Sequence, residues 1–463
     1  MKLSLTRIAE FTAAGGDYDP RALAQGYSID SRTLQPGDLF FAVKGERLDG
    51  HDYVEQALSK GAICAVIRKD QLSRYGSPSS LLAVDDTLAA LQTLATAVRK
   101  LWGKTAIGIT GSMGKTTTKE AMAHLLSVRH RVHRSKGNFN NHFGLPLGLL
   151  TLEPEYDLAV IEMGMSHTGE IAALAKIAQP NEGVVTSVGP VHLEFFDSVA
   201  GIARAKYELI GALPHGGTAV LNGDDEYVCQ FGRDFKGKVI LFGLKITADV
   251  RAENIEGLGP EGTRFDLVTQ GVRQPIRSPL LGTHNVYNVL AAAAVALEHG
   301  IMPSDIAATL PSLEPADKRG QVVQLGNITV LNDCYNSSPK ALMAAVDTLA
   351  AMPGRRRIVV AGEMLELGPT GEQLHRECGR YIASKELDFL LGVRGLAKPM
   401  VEAALEAGMK AEFVATPEEA AEWLARKTHD KDAVLLKASR GVKLERALEG
   451  WQRKLAASGS AND

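Results

Sequence analysis

The stretch "GITGSMGKTTTKE", residues 108–120, constrains the fold of this chain more than any other. It overlaps the end of the apolar run "TAIGIT" and the start of the amphipathic run "TTTKEAMAHLLSVR", which predict a strand followed by a helix. A glycine turn between a strand and a helix start directs several backbone N–H groups at one place, which suits an anion. The sequence therefore predicts an α/β domain that holds a phosphate group at the edge of its sheet.

The spacing of this loop departs from the common nucleotide-binding loop. That loop has a small residue, four spacers and then Gly-Lys-Ser/Thr, but the small residue is replaced here by Ile109. The second half of the motif is intact, so Lys115 can reach the outer phosphates and Thr116 can place its hydroxyl on Mg²⁺. The motif indicates a nucleotide but does not identify the reaction.

Length and hydrophobic pattern indicate three α/β domains. A chain of 463 residues suggests about three domains of ~150 residues each. Short apolar runs alternate with amphipathic stretches, which is typical of βα units around parallel sheets. The predicted domains are residues 1–84, 85–313 and 314–463, with a Pro-rich charged linker at 311–320 and a β-rich stretch at 238–280. Four strands are predicted in the third domain, in "ITVLNDCYN", "RRIVVAGEM", "DFLLGVRG" and "AVLLKASRG".

Composition excludes several classes of protein. The net charge of −3 gives no reason to expect a nucleic-acid partner, which favours a concentrated basic face. Four cysteines without paired spacing argue against a disulfide framework or a zinc site and fit a reducing cytoplasm. No apolar run reaches the ~20 residues needed to cross a bilayer, and the N-terminus does not resemble a signal peptide. We therefore expect a cytoplasmic protein without membrane insertion.

Two polar residues follow the next predicted strands of the central domain. Glu162 ends "YDLAVIEMG", and His192 lies just beyond "EGVVTSVG", where an α/β sheet presents its catalytic edge. A carboxylate and an imidazole beside a triphosphate could hold a second metal ion, although a helix-capping Glu and a surface His would look the same. Lys206, in "AGIARAKYELI", has on its pattern alone the features of a solvated helix lysine.

The loop from Thr110 to Thr117, shortened relative to the common motif, resembles that of the Mur ligase superfamily. The likeness covers essentially the whole chain, because the three-domain layout of these ATP-dependent enzymes matches the three predicted units. It implies a smaller α/β N-terminal domain binding a UDP-MurNAc-peptide, a central mononucleotide-binding domain with a parallel sheet, and a Rossmann-like C-terminal domain. It also implies ATP, two Mg²⁺ ions and small-molecule substrates, and we expect a monomer.

Several longer strings narrow the resemblance within the superfamily. Residues 30–62 resemble the uridine-nucleotide-binding domain shared by the third and fourth amino-acid-adding ligases. The strings "KGNFNNHFGLPLGLL", "NDCYNSSPKALMAAVDTLAAMPG" and "GEMLELG" are similar to those of the enzymes that add D-alanyl-D-alanine to UDP-MurNAc-tripeptide. The Asp-Asn-Pro-Arg string of the diaminopimelate-adding enzymes is absent. The resemblance therefore implies a D-Ala-D-Ala ligase of cytoplasmic peptidoglycan precursor synthesis that forms an acyl phosphate.

The resemblance also assigns roles to individual residues. Four residues are implied in catalysis: Lys115, Glu162, His192 and Lys206. The implied metal ligands are Thr116, Glu162, His192 and Lys206, the last as a carbamate formed with CO₂. The implied ATP-binding residues are Thr110, Gly111, Ser112, Met113, Gly114, Lys115, Thr116, Thr117, His284, Asn285, Asn288, Arg319 and Asp333. The implied substrate-binding residues are Ser31, Arg32, Asn138, Asn140, Asn141, Ser439 and Arg440.

Two positions depart from the family pattern. Met113 stands where related loops carry a small polar residue, and Met165-Ser166 replaces the Ala-Asn of many relatives. Three alternatives remain open: another ligase of the superfamily, such as the diamino-acid-adding one, a nucleotide-driven switch, and a non-catalytic binding protein of the same fold. The uridine-domain likeness at 30–62 argues against the switch. The joint presence of the four implied catalytic residues argues against the binding protein.

Overall fold

The computed structural model describes residues 1–75 and 80–459. Within them the chain forms parallel-rich sheets of four, nine and six strands and a separate two-stranded ribbon. The three larger sheets follow one another along the chain, and each belongs to one domain. The predicted α/β fold with three parallel-sheet domains is therefore confirmed.

The N-terminal domain is built on the four-stranded sheet. Its elements are β1 (Leu3–Ser4), α1 (Leu5–Thr12), β2 (Leu23–Ala24), β3 (Gly26–Ser28), β4 (Asp38–Phe41), α2 (Val54–Ser59), β5 (Cys64–Arg68) and β6 (Leu81–Val84). Strands β3-β4-β5-β6 are all parallel, and β1 pairs with β2. Helix α3 (Thr87–Trp102) leads to the next domain. Asp86 caps its start by accepting from two backbone N–H groups, and Gly103, at φ 67°, ends it.

The central domain carries the nine-stranded sheet. Its elements are β7 (Thr105–Thr110), α4 (Lys115–Leu126), β8 (Val132–Arg134), α5 (Gly144–Leu150), β9 (Leu158–Glu162), α6 (Glu170–Ala178), β10 (Glu182–Val185), α7 (Val199–Gly211), β11 (Thr218–Asn222), β12 (Lys238–Gly243), β13 (Val250–Gly257), β14 (Thr263–Thr269), β15 (Val272–Ser278), α8 (Thr283–Glu298) and α9 (Pro303–Thr309). The strand order is β15-β14-β13-β12-β11-β10-β7-β9-β8. Adjacent strands are parallel from β8 to β13, and β14 is antiparallel to both β13 and β15. Strands β12 to β15 form the β-rich stretch that the sequence predicted at 238–280.

The two faces of this central sheet bury different helices because side chains alternate along each strand. Ile107 and Ile109 of β7 pack with the buried side chains of α4 and α8. Ala106 belongs to the core on the opposite face, with α3, α5, α6 and α7. The carboxyl ends of β7, β9 and β10 are adjacent, because Glu162 is in register with Ile109 and Val185 with Thr110. These ends position the candidate site.

The C-terminal domain carries the six-stranded sheet. Its elements are β16 (Gln321–Leu325), β17 (Ile328–Asp333), α10 (Pro339–Ala350), β18 (Arg357–Gly362), α11 (Gly371–Ala383), β19 (Phe389–Val393), α12 (Ala397–Glu406), β20 (Ala411–Val414), α13 (Pro417–Lys427), β21 (Ala433–Lys437) and α14 (Glu445–Gly459). The order is β16-β17-β21-β18-β19-β20, with only β16 antiparallel to its neighbour. The four predicted strands are β17, β18, β19 and β21, and the edge strands β16 and β20 were missed.

Two further observations bear on the composition arguments. All four cysteines are free, and three of them are buried. None of the helices in the described part of the chain combines the length and apolar character needed to cross a bilayer.

Candidate active site

The phosphate loop lies between β7 and α4 and depends on its two glycines. Gly111, at φ 153°, and Gly114, at φ 84°, adopt backbone conformations that side chains disfavour. A Cβ at Gly111 would overlap the hydroxyl of Thr186, and one at Gly114 would overlap the amide of Asn288. The chain can therefore turn from strand to helix here only without side chains at these positions.

The middle of the loop is fixed by the segment that follows β10. The backbone N–H of Ser112 donates to the carbonyl of Ser187 at 2.8 Å, and the Ser112 hydroxyl accepts from Gly189 N–H at 2.9 Å. Met113, the departure from the family pattern, donates its backbone N–H to the Ser187 hydroxyl at 3.2 Å. The larger side chain is thus accommodated while the loop backbone stays anchored.

Lys115 lies at the first position of α4 and folds back over the loop. Its Nζ donates to the Gly111 carbonyl at 2.7 Å. Burial lowers its pKa from the ordinary 10.5, the charge of Glu162 opposes this, and the charge of Arg319 lowers it further. Arg319 comes from the C-terminal domain, so two positive side chains from different domains approach the same loop.

Glu162 joins the loop to the segment at residues 136–141. Its side chain is buried, with 1% exposure. One carboxylate oxygen accepts from the Thr116 hydroxyl and the other from the Asn140 amide, both at 2.8 Å. Hydroxyl and carboxylate oxygens are the ligands that Mg²⁺ prefers, so Thr116 and Glu162 are placed to share one ion, whereas the sequence prediction paired Glu162 with His192.

His192 lies at the boundary between the central and C-terminal domains. It has a left-handed backbone, at φ 56°. Its Nδ1 pairs with the carboxylate of Glu366 at 2.5 Å, and this contact lowers the pKa of the Glu366 carboxyl although burial opposes the shift. No hydrogen bond joins His192 to Glu162, and the described residues contain no cluster of three His, Cys, Asp or Glu side chains that could hold a metal.

Lys206, predicted from the resemblance to carry a carbamate, is deeply buried on α7. Only 2% of its surface is exposed, which rules out the solvated position that its helix pattern alone suggested. Burial, followed by the charge of Lys115, lowers its pKa well below 10.5. Among the described residues, no acidic side chain offsets these two effects. An amine in such a place is driven toward its neutral form.

Helix α8 contributes polar side chains to the other flank of the loop. Asn288 donates to Asn285 at 2.8 Å and accepts from the hydroxyl of Thr118 at 3.3 Å. Burial lowers the pKa of His284 to about 4, and the nearby charge of Asp333 opposes this shift. A cavity of about 190 Å³ adjoins these residues and is lined by Ser112, Met113, Gly114, Tyr287, Asn288, Ser338 and Lys340, among others.

The C-terminal domain closes the other side of the site. Asp333 pairs with the buried Lys437, whose Nζ also donates to the Asn336 carbonyl at 3.1 Å. The guanidinium of Arg319 stacks 4.0 Å from the ring centre of Tyr335. A second cavity, of about 540 Å³, extends from Thr116 to Arg319 and Tyr335 between the two domains.

The predicted substrate residues fall into three places. Ser31 is buried and donates to Gln56 at 2.8 Å, whereas Arg32 is exposed and pairs with Asp30. Asn138 is exposed, and the side chain of Asn141 accepts from the Gly144 N–H, just before α5, at 2.9 Å.

Ser439 and Arg440 lie in the third place, at the end of β21. The hydroxyl of Ser439 accepts from Leu365 N–H at 2.9 Å. Arg440 pairs with Glu445 at 2.5 Å. This end of the C-terminal sheet therefore joins the segment that carries Glu366.

Three residues at the site were missed by sequence reasoning. Glu366 and Lys437 stand inside "GEMLELG" and "LLKASRG", strings that had already been noticed, so the signal was present. Lys119 stands inside the opening stretch at 108–120, but its pattern did not mark it, because a lysine on a helix is ordinarily a surface residue.

Comparisons with known proteins agree with this architecture. Three family models match: "Mur ligase family, catalytic domain" over residues 24–99, "Mur ligase middle domain" over 109–296, and "Mur ligase, glutamate ligase domain" over 318–440. The chain belongs to the Mur ligase family.

The full-length relatives point to one branch of that family. The chain is 35% identical over 457 residues to the UDP-N-acetylmuramoyl-tripeptide--D-alanyl-D-alanine ligase of Bacillus subtilis, covering 96% of this chain and 97% of the relative. A MurF crystal structure from Acinetobacter baumannii superimposes with a TM-score of 0.88 at 30% identity, covering 98% and 99% of the two chains. MurF from Thermotoga maritima, crystallised with ADP, gives 0.81 at 29% identity, covering 94% and 99%. The predicted resemblance to MurF, the D-alanyl-D-alanine-adding branch, is confirmed.

Proposed function

We propose that this chain is an ATP-dependent, ADP-forming ligase that joins D-alanyl-D-alanine to UDP-N-acetylmuramoyl-tripeptide in peptidoglycan precursor synthesis. The observation that carries this proposal is the position of Glu162. Its carboxylate holds the first turn of the phosphate-loop helix through Thr116 and the segment at 136–141 through Asn140. ATP bound at the phosphate loop and an acceptor bound at the segment 136–141 would therefore lie next to each other, on either side of the Glu162 carboxylate. Full-length similarity to ligases of this name supports the same conclusion.

The chemistry requires activation of a carboxylate. Carboxylate oxygen does not leave when an amine attacks, so we propose that the tripeptide's terminal carboxylate first attacks the γ-phosphorus, giving an acyl phosphate and ADP. Lys115 lies where its charge can offset that of the transferring phosphoryl group. The amine of D-alanyl-D-alanine then attacks the acyl carbon, and phosphate leaves.

Thr116 and Glu162 would hold the first Mg²⁺, because they place a hydroxyl and a carboxylate together at the helix start. When bound, Mg²⁺ neutralises charge on the phosphate oxygens. A second ion held by Glu162, His192 and modified Lys206 remains a proposal from the family resemblance. It would require the His192 ring to bind through the nitrogen that does not face Glu366.

The surroundings of Lys206 support its proposed carbamylation. A neutral amine can attack CO₂, forming an N–C bond and releasing one proton to water, and the product is an anion. The charge of Lys115 lies close enough to lower the pKa of Lys206 and would stabilise a negative group at that position.

Closure of the C-terminal domain over the central one would protect the acyl phosphate from water. Arg319 already approaches Lys115, and Asp333 approaches His284.

The remaining predicted residues are proposed to bind the three substrates. We propose that the nucleotide is bound by Arg319, Asp333, Asn285 and Asn288. The UDP-sugar peptide would be bound by Ser31, Arg32, Asn138, Asn140 and Asn141, and the dipeptide by Ser439 and Arg440. Domain boundaries at 84 and 313, a cytoplasmic location and a monomeric state belong to the same proposal.

The test is a phosphate-release assay with ATP, the muramoyl tripeptide and D-alanyl-D-alanine, omitting each in turn. We expect release only when all three are present. Phosphate release from ATP alone would favour a nucleotide-driven switch. Equal turnover when a diamino acid replaces D-alanyl-D-alanine and a muramoyl dipeptide replaces the muramoyl tripeptide would favour another ligase of the family. Oxygen-18 in the terminal carboxylate of the tripeptide should appear in the released phosphate.

A further inference from the structure

Lys119 is a fully buried lysine for which the reaction described above has no use. It lies on the second turn of α4, and its side chain is 0% exposed. Its Nζ donates to the Gly137 carbonyl at 2.8 Å and lies 3.3 Å from Glu120 and 3.5 Å from Glu162. Lysine is rarely buried this completely unless it is paired.

The partners of Lys119 belong to two separate parts of the site. Glu162 binds Thr116, at the start of the phosphate-loop helix. Gly137 belongs to the segment at residues 136–141, whose far end is held to Glu162 through Asn140. That segment is therefore fastened twice to one charged pair, by a backbone carbonyl at one end and a side-chain amide at the other.

The burial of Lys119 is better explained by the positions of the groups that it holds than by a contribution to the free energy of unfolding. Desolvating two charges costs several kcal/mol, and the attraction of a buried pair often only offsets that cost. A lysine placed here solely for stability would therefore contribute little. Its ammonium group does fix the distance between α4 and a segment that contains no helix or strand until α5 begins at Gly144.

We propose that Lys119 is a positioning residue that holds the segment at 136–141 against the phosphate-loop helix, so that the acceptor carboxylate is presented to the γ-phosphate. The inference rests on the proposed function for the identity of the acceptor. The tether itself does not depend on that identity. Loss of Lys119 should therefore affect acceptor binding far more than nucleotide binding, because the phosphate loop has its own anchors at Ser187 and Gly189.

The experiment compares Lys119→Met and Lys119→Gln with Lys176→Met, a control on the exposed face of α6. In the full-length enzyme, Lys119→Met should raise the KM for the muramoyl tripeptide by about tenfold or more. It should leave the Kd for ADP, measured by calorimetry, within about threefold. Hydrogen exchange without substrates should be faster at residues 136–141 in both Lys119 variants and unchanged in the control.

Two results would overturn the tether. The first is a Lys119→Met enzyme whose hydrogen exchange at 136–141 and KM for the muramoyl tripeptide both equal those of the wild type. The second is a Kd for ADP that rises as much as the KM for the muramoyl tripeptide. Should Lys119→Met fail to fold, Lys119→Gln and Asn140→Ala, which removes the other fastening, test the same point. If the wild-type enzyme did not ligate D-alanyl-D-alanine, the proposed function would fail. Exchange and ADP binding would still decide the role of Lys119.

Discussion

At the scale of single residues, Lys115 supports the strongest prediction. Its Nζ lies on the loop backbone near Arg319 and Glu162, where it can meet the charge that develops on a transferring phosphoryl group. Replacing it with Ala should lower kcat/KM by about 10²- to 10³-fold, measured by phosphate release. Lys176→Ala, on an exposed helix face, should retain wild-type turnover. Near-normal activity of Lys115→Ala would refute the assignment of the loop.

Lys206 supports a second prediction at this scale, because the anion that we propose on its side chain could be replaced chemically. Lys206→Ala should lose about 100-fold in kcat, and a small added carboxylic acid should restore part of that loss by occupying the vacated space. The same acid should not restore Lys115→Ala, where a positive charge is missing. A Lys206→Ala enzyme that stays fully active without the acid would contradict the carbamate.

The limits of sequence reasoning also appear at single residues. Glu162 could be predicted because it ends an apolar strand, and parallel strands present their carboxyl ends at one edge of a sheet. Lys119 could not, because its burial is created by Gly137 and Glu162, which are distant in sequence. The partner of His192 could not be predicted either, since Glu366 lies 174 positions further along the chain.

At the scale of elements, the end of α8 is joined to the start of β10 by a partly buried ion pair. His299, the residue after α8, lies 2.9 Å from Glu182. Burial alone would lower the pKa of His299, but the hydrogen bond and charge of Glu182 outweigh it and raise the pKa above 6.5. The folded state thus binds the proton more tightly than the unfolded state does, so the pair's contribution to stability is complete below pH 6.5.

That contribution should disappear as pH rises through the raised pKa of His299. We expect the free energy of unfolding of the central domain, from urea denaturation between about pH 6 and pH 9, to decline in this window. His299→Gln should remove this part of the pH dependence. His215→Gln, a change at a residue in the turn before β11, should leave it in place. An identical decline in His299→Gln and wild type would contradict the assignment.

Which elements were predictable depended on where they lie in the sheets. Interior strands such as β18, "RIVVAG", are buried on both faces and appear as continuous apolar runs. Strands β16, "QVVQL", and β20, "AEFV", lie at the two edges and are only half-buried. Their weaker apolar pattern is the physical reason that both were missed.

At the scale of the whole molecule, three domains could be expected from length and pattern, but not the way in which they meet. The central and C-terminal domains meet through polar contacts such as His192 with Glu366, through backbone contact between Glu194 and Glu366, and through Leu281, which packs into the C-terminal core. Gly368 is required beside them, because a Cβ there would press on the backbone of Glu194. Domains of one chain are expected to move relative to each other unless their interface is large and hydrophobic.

The contact between His192 and Glu366 should therefore favour the closed arrangement of these two domains that we propose. Both side chains are partly exposed, at 25% and 49%, so the pair should contribute at most about 1 kcal/mol, or a roughly fivefold change in the closed-to-open ratio. Glu366→Gln should enlarge the radius of gyration measured by X-ray scattering, because an amide oxygen accepts a hydrogen bond from the His192 ring less strongly than a carboxylate does. Glu372→Gln, which breaks an exposed pair with Arg376 within α11, should leave the scattering profile unchanged. If both variants scattered like the wild type, the contact between His192 and Glu366 would not hold the domains together, and Leu281, which packs into the C-terminal core, would be the next residue to change.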